Sequence, residues 1–176
     1  VSDGAAELAG ATGLFAQNAG TIRQVTFQKA QVLGSGMTGA ACGQNTGTLD
    51  QITVEEAEIT VAGTAETPAV AGGLVGKNSG IVTRCETSGV LTVDSGNAGV
   101  SAVAGGLIGI WENGAAELVD CSSCMRVELR SAGAAAGLIG RLQNQIGMFL
   151  LRNDANYGTI QVAGADGADS AAAGIL

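Results

Sequence analysis

Apolar residues along this chain keep neither one helical period nor one strand period. They follow a three-part pattern that recurs. The first part is a short glycine-bracketed run: Gly73-Leu74-Val75-Gly76, Gly106-Leu107-Ile108-Gly109 and Gly137-Leu138-Ile139-Gly140. Weaker copies stand at Gly13-Leu14-Phe15-Ala16 and Ala40-Ala41-Cys42-Gly43, and Gly174-Ile175-Leu176 starts another. Successive copies begin 27, 33, 33, 31 and 37 residues apart. The second part is an apolar pair three residues apart: Ile22 with Val25, Leu49 with Ile52, Val82 with Cys85, Leu118 with Cys121 and, more loosely, Met148 with Leu151. The third part alternates with period two, as in Ala57/Ile59/Val61, Leu91/Val93, Val127/Leu129 and Ile160/Val162. Such alternation marks half-buried strand.

Each repeat therefore reads as three short strands, and no such set buries its apolar face alone. Stacking the repeats at about 4.8 Å places each strand beside its counterpart in a parallel sheet. The expected fold is all-β: one parallel β-helix, or β-solenoid, over residues 1–176, with about five coils of three short strands each. Coils start near 13, 40, 73, 106 and 137, with another beginning at 174. Leu74, Leu107 and Leu138 should form one inward column, Val82 and Leu118 a second, Cys85 and Cys121 a third. Gly76, Gly109 and Gly140 read as corners, where glycine takes positive φ without strain. Asn18, Asn45 and Asn78 share one repeat position and read as turn residues whose amides bond along the stack. Asn113 and Asn144 join that column if two-residue insertions precede them. A leucine-rich-repeat horseshoe fits less well, for want of a helical segment, and a propeller blade needs more residues than one repeat supplies.

Composition narrows the chemistry. Hydrophobic residues make up 46% of the chain but aromatics only 3%, and glycine numbers 29 of 176. Small side chains at this density suit thin layers and tight turns. Sixteen acids against eight bases give a net charge of −8, which argues against nucleic acid and against an anionic membrane surface. The chain has no histidine, so Ser-His-Asp and Cys-His triads are excluded. No apolar run reaches the length of a membrane span. The chain reads as a segment of a longer protein, with residues 1–12 as a cap on one end of the stack.

The stretch Gly72-Gly-Leu-Val-Gly-Lys-Asn-Ser-Gly-Ile-Val-Thr-Arg-Cys85 resembles the GLUG repeat of bacterial surface and secreted proteins. Residues 72–93 carry the full match, 105–129 match well, and 13–33, 39–61 and 136–162 match in part. The resemblance implies a parallel β-helix and an extracellular, cell-surface setting. In that family the repeats belong to large modular proteins, adhesin-like ones among them, and lie outside any catalytic domain. It names no ligand.

Individual motifs add little chemistry. Gly76-Lys77 suggests a phosphate-binding loop, but Ala71 stands where the first glycine belongs and Asn78 where Ser or Thr belongs. Lys77 then reads as a solvated turn residue. Cys121-Ser-Ser-Cys124 has redox or zinc spacing without a helix N-terminus or a second cysteine pair to serve it, so buried thiol is the favoured reading. A Cys85–Cys121 disulfide has the Cα separation but an awkward Cβ geometry. Glu55-Glu56-Ala57-Glu58 is a dense acidic patch that reads as a solvated face. Asp94-Ser-Gly-Asn97 and Asp166-Gly-Ala-Asp169 lack a calcium-loop pattern and read as turns. Trp111, placed in an insertion of the fourth coil, and Tyr157, in the long fifth, are the candidate ligand contacts. The long loops at 62–71, 94–104 and 163–172 are further contact candidates.

The functional expectation is a non-catalytic structural or adhesion segment without cofactor. Its partners would be neighbouring domains of the same chain and possible host glycans or matrix proteins. A glycan- or host-protein-binding module is the alternative, and a β-helix carbohydrate-active enzyme is the third reading.

Overall fold

The computed structural model describes residues 11–96, 100–112, 116–143, 149–163 and 170–175. These residues form strands and turns, with no helix among them. The first coil carries β1 (Ala11–Thr12), β2 (Phe15–Asn18), β3 (Thr21–Gln28) and β4 (Gln31–Gly34). The second carries β5 (Met37–Thr38), β6 (Cys42–Asn45) and one long strand, β7 (Thr48–Ala62). The third carries β8 (Val70–Gly72), β9 (Val75–Asn78), β10 (Ile81–Thr83) and β11 (Glu86–Asp94). The fourth carries β12 (Ala102–Gly105), β13 (Ile108–Glu112), β14 (Ala116–Val119) and β15 (Ser122–Leu129). The fifth carries β16 (Gly133–Ala136), β17 (Ile139–Gln143), β18 (Phe149–Arg152), β19 (Ala155–Asn156) and β20 (Thr159–Val162), and β21 (Ser170–Ala173) opens the next turn.

Coil lies on coil in three parallel sheets. The first runs β1-β5-β8-β12-β16-β21 and the second β2-β6-β9-β13-β17. The third gathers the ten remaining strands. The expected columns hold: Val82 pairs with Leu118, Leu91 with Val127, and Leu107 donates its N–H to the Leu138 carbonyl. Leu74, Leu107 and Leu138 are fully buried. The molecule is a β-solenoid of about five coils.

The division into three differs from the one read off the sequence. The apolar pair and the alternating stretch belong to one sheet, which bends between the two members of the pair in each coil. At each bend a residue adopts the left-handed conformation: Gln24 (φ 56°), Gln51 (56°), Arg84 (52°), Asp120 (55°) and Asn153 (57°). Flanking residues in a strand alternate sides, so residues three apart normally face opposite ways. One left-handed residue between them restores a common facing, which explains the spacing of three in Ile22/Val25 and Val82/Cys85. The sheet missing from the sequence reading is the first. Parts of the expected loops 62–71, 94–104 and 163–172 are its strands β8, β12 and β21.

β8 and β12 show no alternation because both their sides are covered. Ala71 and Ala104 belong to the main core. Their neighbours Val70 and Val103 join Ile110 and Met37 in a second apolar cluster. Ile110 in turn stands next to Trp111, which lies in the main core. Adjacent strand residues face opposite ways, so the second cluster occupies the outer elbow between the first and second sheets.

This elbow corrects the reading of Gly76, Gly109 and Gly140. They are strand residues of β9, β13 and β17, and none has positive φ. What they require is close approach. A Cβ on Gly76 would sit 2.4 Å from the Thr38 amide nitrogen, and one on Gly109 2.5 Å from the Gly76 carbonyl oxygen. Backbone packs on backbone across the elbow, and any side chain there would force the two sheets apart.

Candidate binding face

Trp111 is not a surface residue. It pairs in register with Asn78 below and Leu142 above and is fully buried. The strand β13 runs on through Glu112, so no insertion precedes Trp111, and the indole fills the asparagine position itself. Asn113 and Asn144, once aligned to that column, fall outside the described residues; Leu142 holds the place in the fifth coil.

The lower half of the same column is an amide ladder, as expected. Asn18 Nδ2 donates to Asn45 Oδ1 and Asn45 Nδ2 to Asn78 Oδ1, each at 2.7 Å. Each Nδ2 also donates to the carbonyl two residues on: Gly20 at 3.2 Å, Gly47 at 3.2 Å and Gly80 at 2.9 Å. These asparagines end strands β2, β6 and β9, so their side chains close the turn into the third sheet.

Three of the four thiols are buried. Cys42, Cys85 and Cys121 are free and buried, and Cys124 is free and exposed. Cys85 and Cys121 stack in register, and the Cys85 N–H lies 3.3 Å from Cys121 Sγ. The hydrogen bond with Cys85, and then burial, push the Cys121 thiol up; burial pushes Cys42 up to about 12. Neither is a thiolate nucleophile at neutral pH.

The fifth coil departs from the expected pair Met148/Leu151. Leu151 pairs with Leu118, so Asp154 takes the place beside Cys121. Its carboxylate accepts the Cys121 N–H and the Arg152 N–H, both at 2.9 Å. Burial holds this carboxyl above the ordinary range. Met148 lies outside the described residues, as does Asp166-Gly-Ala-Asp169. Asp94, expected in a turn, is the last residue of β11, and its Oδ1 accepts the Gly96 N–H at 3.0 Å. No group of three metal-ligating side chains occurs among the described residues.

Lys77 also changes character. It lies within β9 and pairs with Glu112 of the next coil, with side chains 27% and 19% exposed. The ion pair rims the elbow beside Ile110, which is in register with Lys77.

Of the two aromatic candidates Tyr157 is the exposed one, 75% accessible. It stands on the outer side of the third sheet, its N–H bonded to the Ser123 carbonyl. On the strands beside it a polar network spans two coils. Glu128 accepts from Arg126 Nη2 at 2.8 Å and from Arg130 Nη2 at 3.0 Å, and Arg126 Nη2 also donates to Gln161 Oε1 at 3.1 Å. A shallow groove of about 420 Å³ is lined by Glu128, Leu129, Arg130, Gln161, Val162 and Ala163. Two coils below, the same face is acidic: Glu55, Glu56 and Glu58 are exposed, with Lys29 3.8 Å from Glu56 and Gln28 bonded to Glu55. Arg126 and Gln161 are 35 residues apart, and only the register of the coils brings them together.

No protein family, curated protein or solved structure matches this chain.

Proposed function

We propose that this chain is a non-catalytic structural segment, a rigid β-solenoid stalk of a surface or secreted protein. The observation that carries it is where the polar side chains go. Asn18, Asn45 and Asn78 bond coil to coil, as do Gln17 with Gln44, Asp50 with Arg84, Thr87 with Ser123, Asp120 with Asn153 and Arg126 with Gln161. Bonds of this kind tie each turn to the next and suit a spacer. The GLUG-like repeat supports the cell-surface part of the reading.

Incubation with a broad polysaccharide panel is expected to release no product. Cleavage that disappears on Glu58→Gln or Glu128→Gln would overturn the structural reading in favour of an enzyme. Labelling of intact source cells with an impermeant reagent tests the setting, and an unlabelled segment would contradict it.

A second reading, a module that binds a host glycan or matrix protein, now rests on Tyr157 alone of the two aromatic candidates. Its exposure between strands β19 and β20 is the observation in its favour.

A further inference from the structure

We propose that the outer face of the third sheet in the fourth and fifth coils binds a short acidic sugar, laid along the strands from Tyr157 to Arg130. This deepens the second reading above and rests on it. Tyr157 and Gln161 are four residues apart on one coil, about 13 Å, with Thr159 between them. One coil below, Thr159 pairs with Arg126 and Gln161 with Glu128. An aromatic ring, two guanidinium groups and a side-chain amide thus share one face.

The chemistry of the network sets the ligand. An exposed phenol ring offers an apolar platform with a polar tip, suited to the C–H face of a sugar. Each guanidinium has five N–H groups, and among the described residues Arg126 and Arg130 use only Nη2. Their side chains are 54% and 60% exposed. Glu128, 16% exposed, is held between them and fixes both in place. The Nε and Nη1 hydrogens these bonds leave over can donate to a carboxylate or sulfate oxygen. The acidic side chains Glu55, Glu56 and Glu58 lower on the same face repel a long polyanion, so the ligand is a short oligosaccharide or a chain end.

The test is calorimetric titration of the full 176-residue chain with a galacturonic acid trimer, a sulfated disaccharide and a neutral galactose trimer. The uronate or the sulfated sugar is expected to bind, more weakly at high salt, and the two arms separate carboxylate from sulfate recognition. Arg126→Gln and Tyr157→Ala should each weaken binding about tenfold or more. Glu128→Gln should tighten it severalfold, because it removes the competing carboxylate while leaving an amide to hold Arg126. A Glu128→Gln variant that binds less well, or unchanged binding in both other variants, overturns the site while leaving a binding role elsewhere on the molecule. Preference for the neutral trimer overturns the ligand class. No binding to any of the three overturns the proposal, and the second reading then stands or falls on other glycans and on matrix protein.

Discussion

One column in the interior is filled in two ways. In the first three coils it is asparagine, stacked amide on amide with 2.7 Å bonds. In the fourth and fifth it is Trp111 and Leu142, packed as hydrocarbon. The backbone register runs straight through the change, from Asn78 to Trp111. A buried amide is favourable only where its neighbours complete its bonds, and an apolar side chain only where it fills the volume. The solenoid therefore fixes the geometry of the position and leaves its chemistry open, provided each half is consistent with itself.

The largest break in this comparison is Trp111→Ala. It empties the apolar half of the column, and unfolding free energy should fall by about 3–5 kcal/mol in a denaturant titration. Trp111→Asn should cost a comparable amount despite extending the ladder, because one added hydrogen bond contributes only about 1 kcal/mol. Next comes Asn45→Leu in the amide half. It strips partners from Asn18, Asn78 and the Gly47 backbone, but only the bond to Asn78 is fully buried, so the expected loss is about 1–3 kcal/mol in all. If the two halves differ only in chemistry, hydrogen exchange should accelerate near coils one to three in Asn45→Leu and near coils four and five in Trp111→Ala.

A smaller effect sharpens the same point. Thr38 is buried, and its Oγ1 finds no hydrogen-bond partner among the described residues. Its side chain fills the space above Gly34, where a Cβ would lie 2.2 Å from Oγ1. Thr38→Val keeps the shape and removes the unpaired hydroxyl, so stability should rise by about 1 kcal/mol. The smallest effect belongs to Lys77→Ala. A half-buried pair at the elbow rim is expected to contribute about 1 kcal/mol or less, and the difference from wild type should shrink in high salt.

Much of the stack was legible because its signals are repeated. Leu74, Leu107 and Leu138 announce a column, and Asn18, Asn45 and Asn78 announce a ladder. What misled lies where a repeat keeps its geometry but changes its residue. Trp111 replaces an asparagine, so the nearest later asparagine, Asn113, drew the alignment and created an insertion that β13 does not contain. Asp154 replaces an apolar residue, so apolar spacing alone points to Met148/Leu151 instead. A usable signal existed there: Asn153 suits the left-handed bend that Gln24, Gln51, Arg84 and Asp120 occupy in the other coils. The glycines misled for another reason. Turn geometry and close approach both select glycine, and a sequence cannot separate them. Tyr157 was legible as an aromatic candidate, whereas the Arg126–Glu128–Arg130 network beside it depends on neighbouring coils.

Coils of distant sequence lie in register one above another. Side-chain amide NMR on the folded protein tests it most directly, through nuclear Overhauser contacts of the Asn45 side-chain protons. The account predicts contacts to the side chains of both Asn18 and Asn78, with slow exchange for the Asn45 amide. Contacts to neither, with Asn45 exchanging as freely as an exposed amide, would contradict the stacked register.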